Sequence, residues 1–260
     1  MTMRAPRLAC LAAAIGAACA NAGEGSDDAP QATPYRPSVA TPAQLSAPGW
    51  LEVEAGGLRA RLADGSKRDS VPTTVKVAFT PDWGVRVSTD AWARLTDVDG
   101  SRTTGGGDTA VVVKRRFAVD DASAFGLEAT LSSPTAKTGL GSGGTDGSLT
   151  GIYSADLAAG LHADLNLEAT RLQRVDPGSG RVQWLWAASL SKMLGERWGL
   201  TIEPSGTRRH GAEGTTQLLG AVSFNASRTV VLDTGIAQSL RHGSRERSAF
   251  AGVTWLAARL

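Results

Sequence analysis

From residue 50 to residue 260 the chain is built of short stretches in which every second residue is apolar, separated by clusters of Gly, Asp, Ser and Pro. That period of two is the mark of half-buried β-strands. In the clearest stretch Leu161, Ala163, Leu165, Leu167 and Ala169 share one face, and His162, Asp164, Asn166, Glu168 and Thr170 share the other. Twelve such stretches are predicted, over 50–60, 70–80, 84–96, 108–118, 123–133, 147–157, 161–172, 182–193, 197–205, 215–225, 228–239 and 247–260. A helix over 155–172 is the local competitor, because Leu157, Leu161, Leu165 and Leu172 come near helical spacing; Gly160 and the alternation after it argue against it.

The connections between the stretches alternate, long at 61–69, 97–107, 134–146, 173–181, 206–214 and 240–246, and short at 81–83, 119–122, 158–160, 194–196 and 226–227. Both ends of the chain then fall on the side of the short turns. An even strand number, short periplasmic turns and longer outer loops define an outer-membrane barrel. The predicted fold is all-β, a twelve-stranded antiparallel transmembrane β-barrel. A soluble β-sandwich shares the alternation, but it requires no strict order of long and short loops and packs a bulkier core than Leu149, Gly151, Tyr153, Ala155 and Leu157 supply. Phe79, Phe117, Phe125, Trp198 and Phe224 have apolar parity beside short turns, while Trp184 and Trp186 follow a long loop. Two aromatic belts are the expected result. Trp50 has the wrong parity for its belt, Asp233 and Gly235 interrupt the eleventh stretch, and one of Lys114, Arg115 and Arg116 has to face outward or sit at the interface.

Ahead of the barrel, residues 1–22 read as an export signal, with Arg4 and Arg7 before the apolar run Leu8 to Ala20 and a small-x-small site at Ala20-Asn21-Ala22. Both cysteines, Cys10 and Cys19, lie within it, so the mature chain is expected to hold no disulfide and no thiolate chemistry. Residues 23–49 carry five prolines and are predicted to form an extended arm. It either folds into the lumen as a plug, with Tyr35 and Arg36 anchored on acidic residues, or hangs free in the periplasm. The chain has 27 basic and 25 acidic residues; without Arg4 and Arg7 the two are equal, which gives no footprint for nucleic acid. With the barrel ending at Leu260, the terminal aromatic residue usual in such proteins is replaced.

If the apolar parity meets lipid, the other face lines the lumen. It carries Glu52, Glu54, Lys76, Arg86, Asp90, Trp92, Arg94, Lys114, Arg116, Glu128, Asp164 and Glu168, and beyond these His162, Asn166, Glu203 and Asp233. Basic residues concentrate on the second to fourth stretches and acidic ones on the fifth to ninth, so the two walls either pair into a stabilising network or set a field across a wet path. No catalytic set is expected: three histidines stand at no metal-ligand spacing, His242-Gly243-Ser244 lies in an outer loop, and the Gly-rich run 139–144 lacks the Lys-Ser/Thr ending of a phosphate loop. No cofactor is expected.

Certain stretches also carry a family likeness: Tyr35-Arg36-Pro37-Ser38-Val39-Ala40-Thr41-Pro42, then 49–57, 79–85, Gly107-Asp108-Thr109, Lys114-Arg115-Arg116-Phe117, Pro134-Thr135-Ala136-Lys137 and Gly151-Ile152-Tyr153-Ser154. Together they resemble the outer-membrane transporters grouped under the meta-pathway of phenol degradation. The resemblance implies a barrel in the Gram-negative outer membrane that passes small hydrophobic or aromatic molecules passively, in contact with outer-membrane lipid, lipopolysaccharide and the barrel-assembly machinery. It brings no catalytic residues. The alternatives are a structural or lipopolysaccharide-binding barrel, with Arg208, Arg209, Arg241, Arg245 and Arg247 in basic outer loops, and a lipid-acting enzyme.

Overall fold

A computed structural model describes residues 29–241 and 246–260. The signal segment 1–22, the start of the arm and His242-Gly243-Ser244-Arg245 lie outside the described residues. Thirteen strands follow the arm: β1 Trp50–Arg61, β2 Lys67–Ala78, β3 Trp83–Thr96, β4 Arg102–Gly105, β5 Thr109–Ala118, β6 Ser123–Ser133, β7 Asp146–Leu157, β8 Leu161–Arg171, β9 Val182–Leu194, β10 Trp198–Arg209, β11 Thr215–Asn225, β12 Val230–Ser239 and β13 Arg247–Arg259. All pair antiparallel with their neighbours, and β1 closes the sheet by pairing with both β2 and β13. Twelve strands form the wall. The short β4 pairs only with β3, as a flap on the long loop that follows it.

Side-chain alternation and burial agree along the wall. Val75, Val111, Leu127, Leu149, Leu167, Ile202 and Ile236 are between 37% and 66% exposed, while the residues between them on the same strands are largely buried. A continuous apolar exterior of this kind would be an aggregation surface in water and is what hydrocarbon requires. At the short-turn end Trp198 stacks on Phe224 with ring centroids 4.7 Å apart, and Phe125 on Tyr153 at 5.0 Å. Of the three consecutive cations on β5, Arg115 is the outward one. Its guanidinium lies over the rings of Trp83 and Phe117, 4.9 and 4.7 Å from their centroids, in the same aromatic rim.

The stretch 155–172 is two strands, β7 and β8, joined by a single tight turn at Ala158–Gly160 in which Ala159 and Gly160 both have positive φ. The outer connections at 62–66 and 210–214 are shorter than their polar sequence suggests. The ladder runs on past the apolar band, since Arg61 pairs with Lys67 and Thr207 with Thr215. Backbone hydrogen bonding does not require apolar side chains once the strand has left the lipid.

Two bulges shift parity. On β3 the partner of Val71 is Trp92 and the partner of Pro72 is Asp90, so Ala91 is an extra residue. On β13 Ala257 is skipped in the same way, beside the step from Leu51 to Glu52.

Candidate functional site

The lumen is occupied by the arm. It comes in at the short-turn rim, where Ala32 N–H donates to the Arg228 carbonyl at 2.8 Å and Arg228 donates to the Ala29 carbonyl. It then loops around the interior and leaves beside β2 through the Pro48–Ala78 bridge before β1 begins. Five prolines keep this segment from forming a strand of its own, so its backbone donors and acceptors are left for the wall to satisfy.

The wall does so with inward polar side chains from many strands. Glu52 and Glu54 on β1 accept from Thr33 N–H at 2.8 Å and Tyr35 N–H at 2.6 Å. Lys76 on β2 bridges both carboxylates, at 2.6 and 2.5 Å, and donates to the Thr33 carbonyl at 2.7 Å. On β10, Glu203 accepts from Val39 and Ala40 N–H, each at 2.9 Å. Asn166 on β8 accepts from Thr41 N–H at 2.6 Å and returns a bond to the Thr41 carbonyl at 2.9 Å, pairing as a backbone strand would. Ser154 on β7 accepts from Ala43 N–H at 2.7 Å, and Lys114 on β5 donates to the Pro42 carbonyl.

Two arm side chains are seated deeply. The Tyr35 ring lies between cations, with Lys76 Nζ 3.7 Å and Lys114 Nζ 4.4 Å from its centroid, and its hydroxyl donates to the Gln44 carbonyl at 2.7 Å. Burial, and after it the Glu128 carboxylate, raises the Tyr35 phenol well above its ordinary range and keeps it protonated. Arg36 forks onto Asp233 on β12 at 3.0 and 3.1 Å, with both side chains no more than 3% exposed. The fork fits because Gly56 and Gly252 face it from β1 and β13: a Cβ at either would come within 2.6 Å of the guanidinium. Gly84 makes the same kind of room for Leu45, whose Cδ2 would meet its Cβ at 2.5 Å. The space left beside Tyr35 is about 10 Å³, room for one water.

Most of the residues expected on the inner face meet here. Glu52, Glu54, Lys76, Lys114, Glu128 and Asp164 are each 3% exposed or less. Their ion pairs join strands one or two places apart in the sheet rather than opposite walls. Arg86 and Lys114 both reach Glu128, at 2.8 and 3.2 Å, and Lys76 reaches across one strand boundary to β1. Of the two expected alternatives, a stabilising network or a field across a wet path, these contacts are those of a paired network, made locally along the wall, which is how buried charge is kept affordable in a medium of low dielectric. Asp164 accepts from Ser154 at 2.5 Å, Ser189 at 3.2 Å and lies 3.2 Å from His162 Nε2; His162 Nδ1 is 2.6 Å from Asp156. Ser154 thus bonds the carboxylate and not the imidazole.

Three expected residues stand apart from the arm. Asp90 pairs with Arg68 at 2.7 Å in the outer half of the barrel, and Glu168 accepts from Thr150 and Thr170 at 2.9 and 2.7 Å. Arg116 reaches Asp82 at 3.7 Å at the short-turn rim, whereas Arg86, paired with Glu128, lies over the Tyr35 ring at 5.6 Å. Trp92 and Arg94 are corrections. The bulge at Ala91 turns them outward, Trp92 is 38% exposed, and Arg94 lies over its ring at 5.3 Å while Ala93 and Leu95 take the inner face. Trp50 points inward against Ala32, Val231 and Leu256, which explains its parity. The outer half of the interior is apolar on one side, with Leu58, Leu219, Ala221, Ala237 and Phe250 packed together. Gly235 makes room for Phe250, whose Cζ would lie 2.5 Å from a Cβ there.

A closed antiparallel barrel with an apolar exterior, short turns at the end that holds both termini and a polar interior filled by its own N-terminal arm has the architecture of outer-membrane β-barrels. Solved structures of outer-membrane barrels share its barrel fold. An outer membrane channel from Pseudomonas putida F1 superposes with a TM-score of 0.63 at 13% identity, over 81% of this chain and 97% of that one. The NanC porin gives 0.58 at 12% identity, over 79% and 98%. CymD, a monoaromatic hydrocarbon channel, gives 0.50 at 10% identity, over 80% and 88%. At these identities the likeness is one of fold. No protein-family model matches the sequence, and no curated protein matches it.

Proposed function

We propose that the protein is an outer-membrane channel through which small hydrophobic or aromatic molecules pass passively, and that residues 29–48 are the plug that closes it. The observation that carries this reading is the mode of closure. The arm is a separate segment tied at its far end to β1; between its backbone contacts at Ala32 and at the Pro48–Ala78 bridge it is held by side chains of the wall, so it can leave without opening the wall. The apolar cluster of Leu58, Leu219 and Phe250 on the inner face of the outer half favours uncharged solutes over sugars or ions. The fold shared with channels, one of them for monoaromatic hydrocarbons, supports the same reading, as do the motifs that resemble the phenol meta-pathway transporters. A structural barrel is the second reading, favoured by how completely the arm fills the lumen.

Deletion of residues 29–46 separates the two. In planar bilayers the full mature chain is expected to be nearly silent and the deletion to show stable single-channel conductance. In cells lacking general porins, the deletion is expected to speed influx of an uncharged fluorescent naphthylamine. A deletion variant that still migrates as a folded barrel before boiling, yet passes neither ions nor the probe, would leave only the structural reading.

A further inference from the structure

We propose that the outer end of β13, β1 and β2 carries a binding site for the phosphates of the outer-leaflet glycolipid. In the register of these strands Arg247, Arg61 and Lys67 are directly opposite one another, on one level of the outward face. Directly opposed like charges destabilise a sheet unless an anion lies between them. Among the described residues none of the three forms a salt bridge, and Arg61 Nε is shielded from water without a hydrogen-bond partner. One step toward the membrane, Arg59 and Arg94 flank the single carboxylate of Asp69, at 2.6 and 3.3 Å. Five cations therefore share one acid on this face. The other acids of the rim, Asp64, Asp97, Asp99 and Glu246, belong to the connections above the strands.

Height fixes the occupant. Trp92, turned outward by the bulge, is the next residue down the same face, and below it come Val75, Val87 and Val253. An outward indole above an apolar band marks the level where hydrocarbon gives way to headgroups. The cations begin one residue pair higher, where lipid phosphates lie. Three strands span about 10 Å across the sheet, so the row offers two guanidinium forks and an ammonium to more than one phosphate of a single headgroup. A protein partner would need an apolar centre at this site; the row supplies charge alone.

The full mature chain in detergent is titrated with diphosphorylated lipid A and followed by native mass spectrometry. The Arg61→Ser, Lys67→Ser, Arg247→Ser triple variant is expected to bind at least about tenfold more weakly, as three cations at a phosphate surface predict. Dephosphorylated glycolipid is expected to bind the native protein as weakly as lipid A binds the variant, and millimolar inorganic phosphate is expected not to displace lipid A. Folding of the variant is read from its faster migration before boiling, and its arm-dependent conductance stays that of the native chain. Equal lipid A binding by a folded triple variant, equal binding of the dephosphorylated lipid, or full displacement by free phosphate would each overturn the site.

Discussion

Replacing Lys76 by Met is expected to unseat the arm at a cost of about 3–5 kcal/mol, the usual penalty for stranding a buried charge. Lys76 is the shared counter-ion of Glu52 and Glu54, both at most 1% exposed, and also holds the Thr33 carbonyl and the face of Tyr35. Without it two carboxylates face each other on one strand with no cation between them and the arm. The barrel wall is independent of this contact, because β2 is paired with β1 and β3 through the backbone at Lys76 itself and on either side of it. The expected result is therefore selective: a protease added at the periplasmic side cuts within 29–48 in the variant and not in the native chain, while both remain heat-modifiable. An arm equally resistant in the variant would mean that the ion cluster does not hold it.

The second large effect is expected at Arg36→Ala, again about 3–5 kcal/mol. The substitution leaves Asp233 buried without its fork and opens a gap between Gly56 and Gly252 that nothing else fills. Its test is a comparison of pairs. Removing Arg36 alone should raise open-channel probability in bilayers several-fold. Replacing Arg36 by Met together with Asp233 by Leu should restore closure, because a matched apolar pair strands no charge. A double variant as leaky as the single would show that the arm is held by something other than this pair.

The wall was legible in the sequence because strand parity is a local property: Leu161 to Thr170 and β8 coincide almost residue for residue. Loop order was legible for the same reason. What defeated the reading was the single extra residue. Ala91 looks like any strand residue, yet its insertion reverses Trp92 and Arg94, and nothing in the alternation marks it because Trp and Arg can stand on either face of an interface. The site was half legible. Glu52, Glu54, Lys76 and Glu128 follow from parity, and the irregularities at Asp233, Gly235 and Trp50 were visible as breaks in a pattern. Their cause was not, since each is shaped by residues outside its own strand: Arg36 for Asp233, Phe250 for Gly235 and Ala32 for Trp50. A polar inner residue that departs from its strand's habit is the sequence signal for an internal plug.

The most direct test of a barrel closed by its own arm is a cross-link between them. Cys10 and Cys19 fall in the predicted export signal, so cysteines placed at Ala43 and Ser154 would be the only pair in the mature chain. Ala43 N–H lies 2.7 Å from the Ser154 hydroxyl oxygen, within reach of a disulfide. Oxidation of the Ala43→Cys, Ser154→Cys protein in intact outer membranes is expected to give near-complete intramolecular cross-linking and a channel that stays shut until it is reduced. Two thiols that remain free, or a cross-linked protein that conducts as well as the reduced one, would contradict the account.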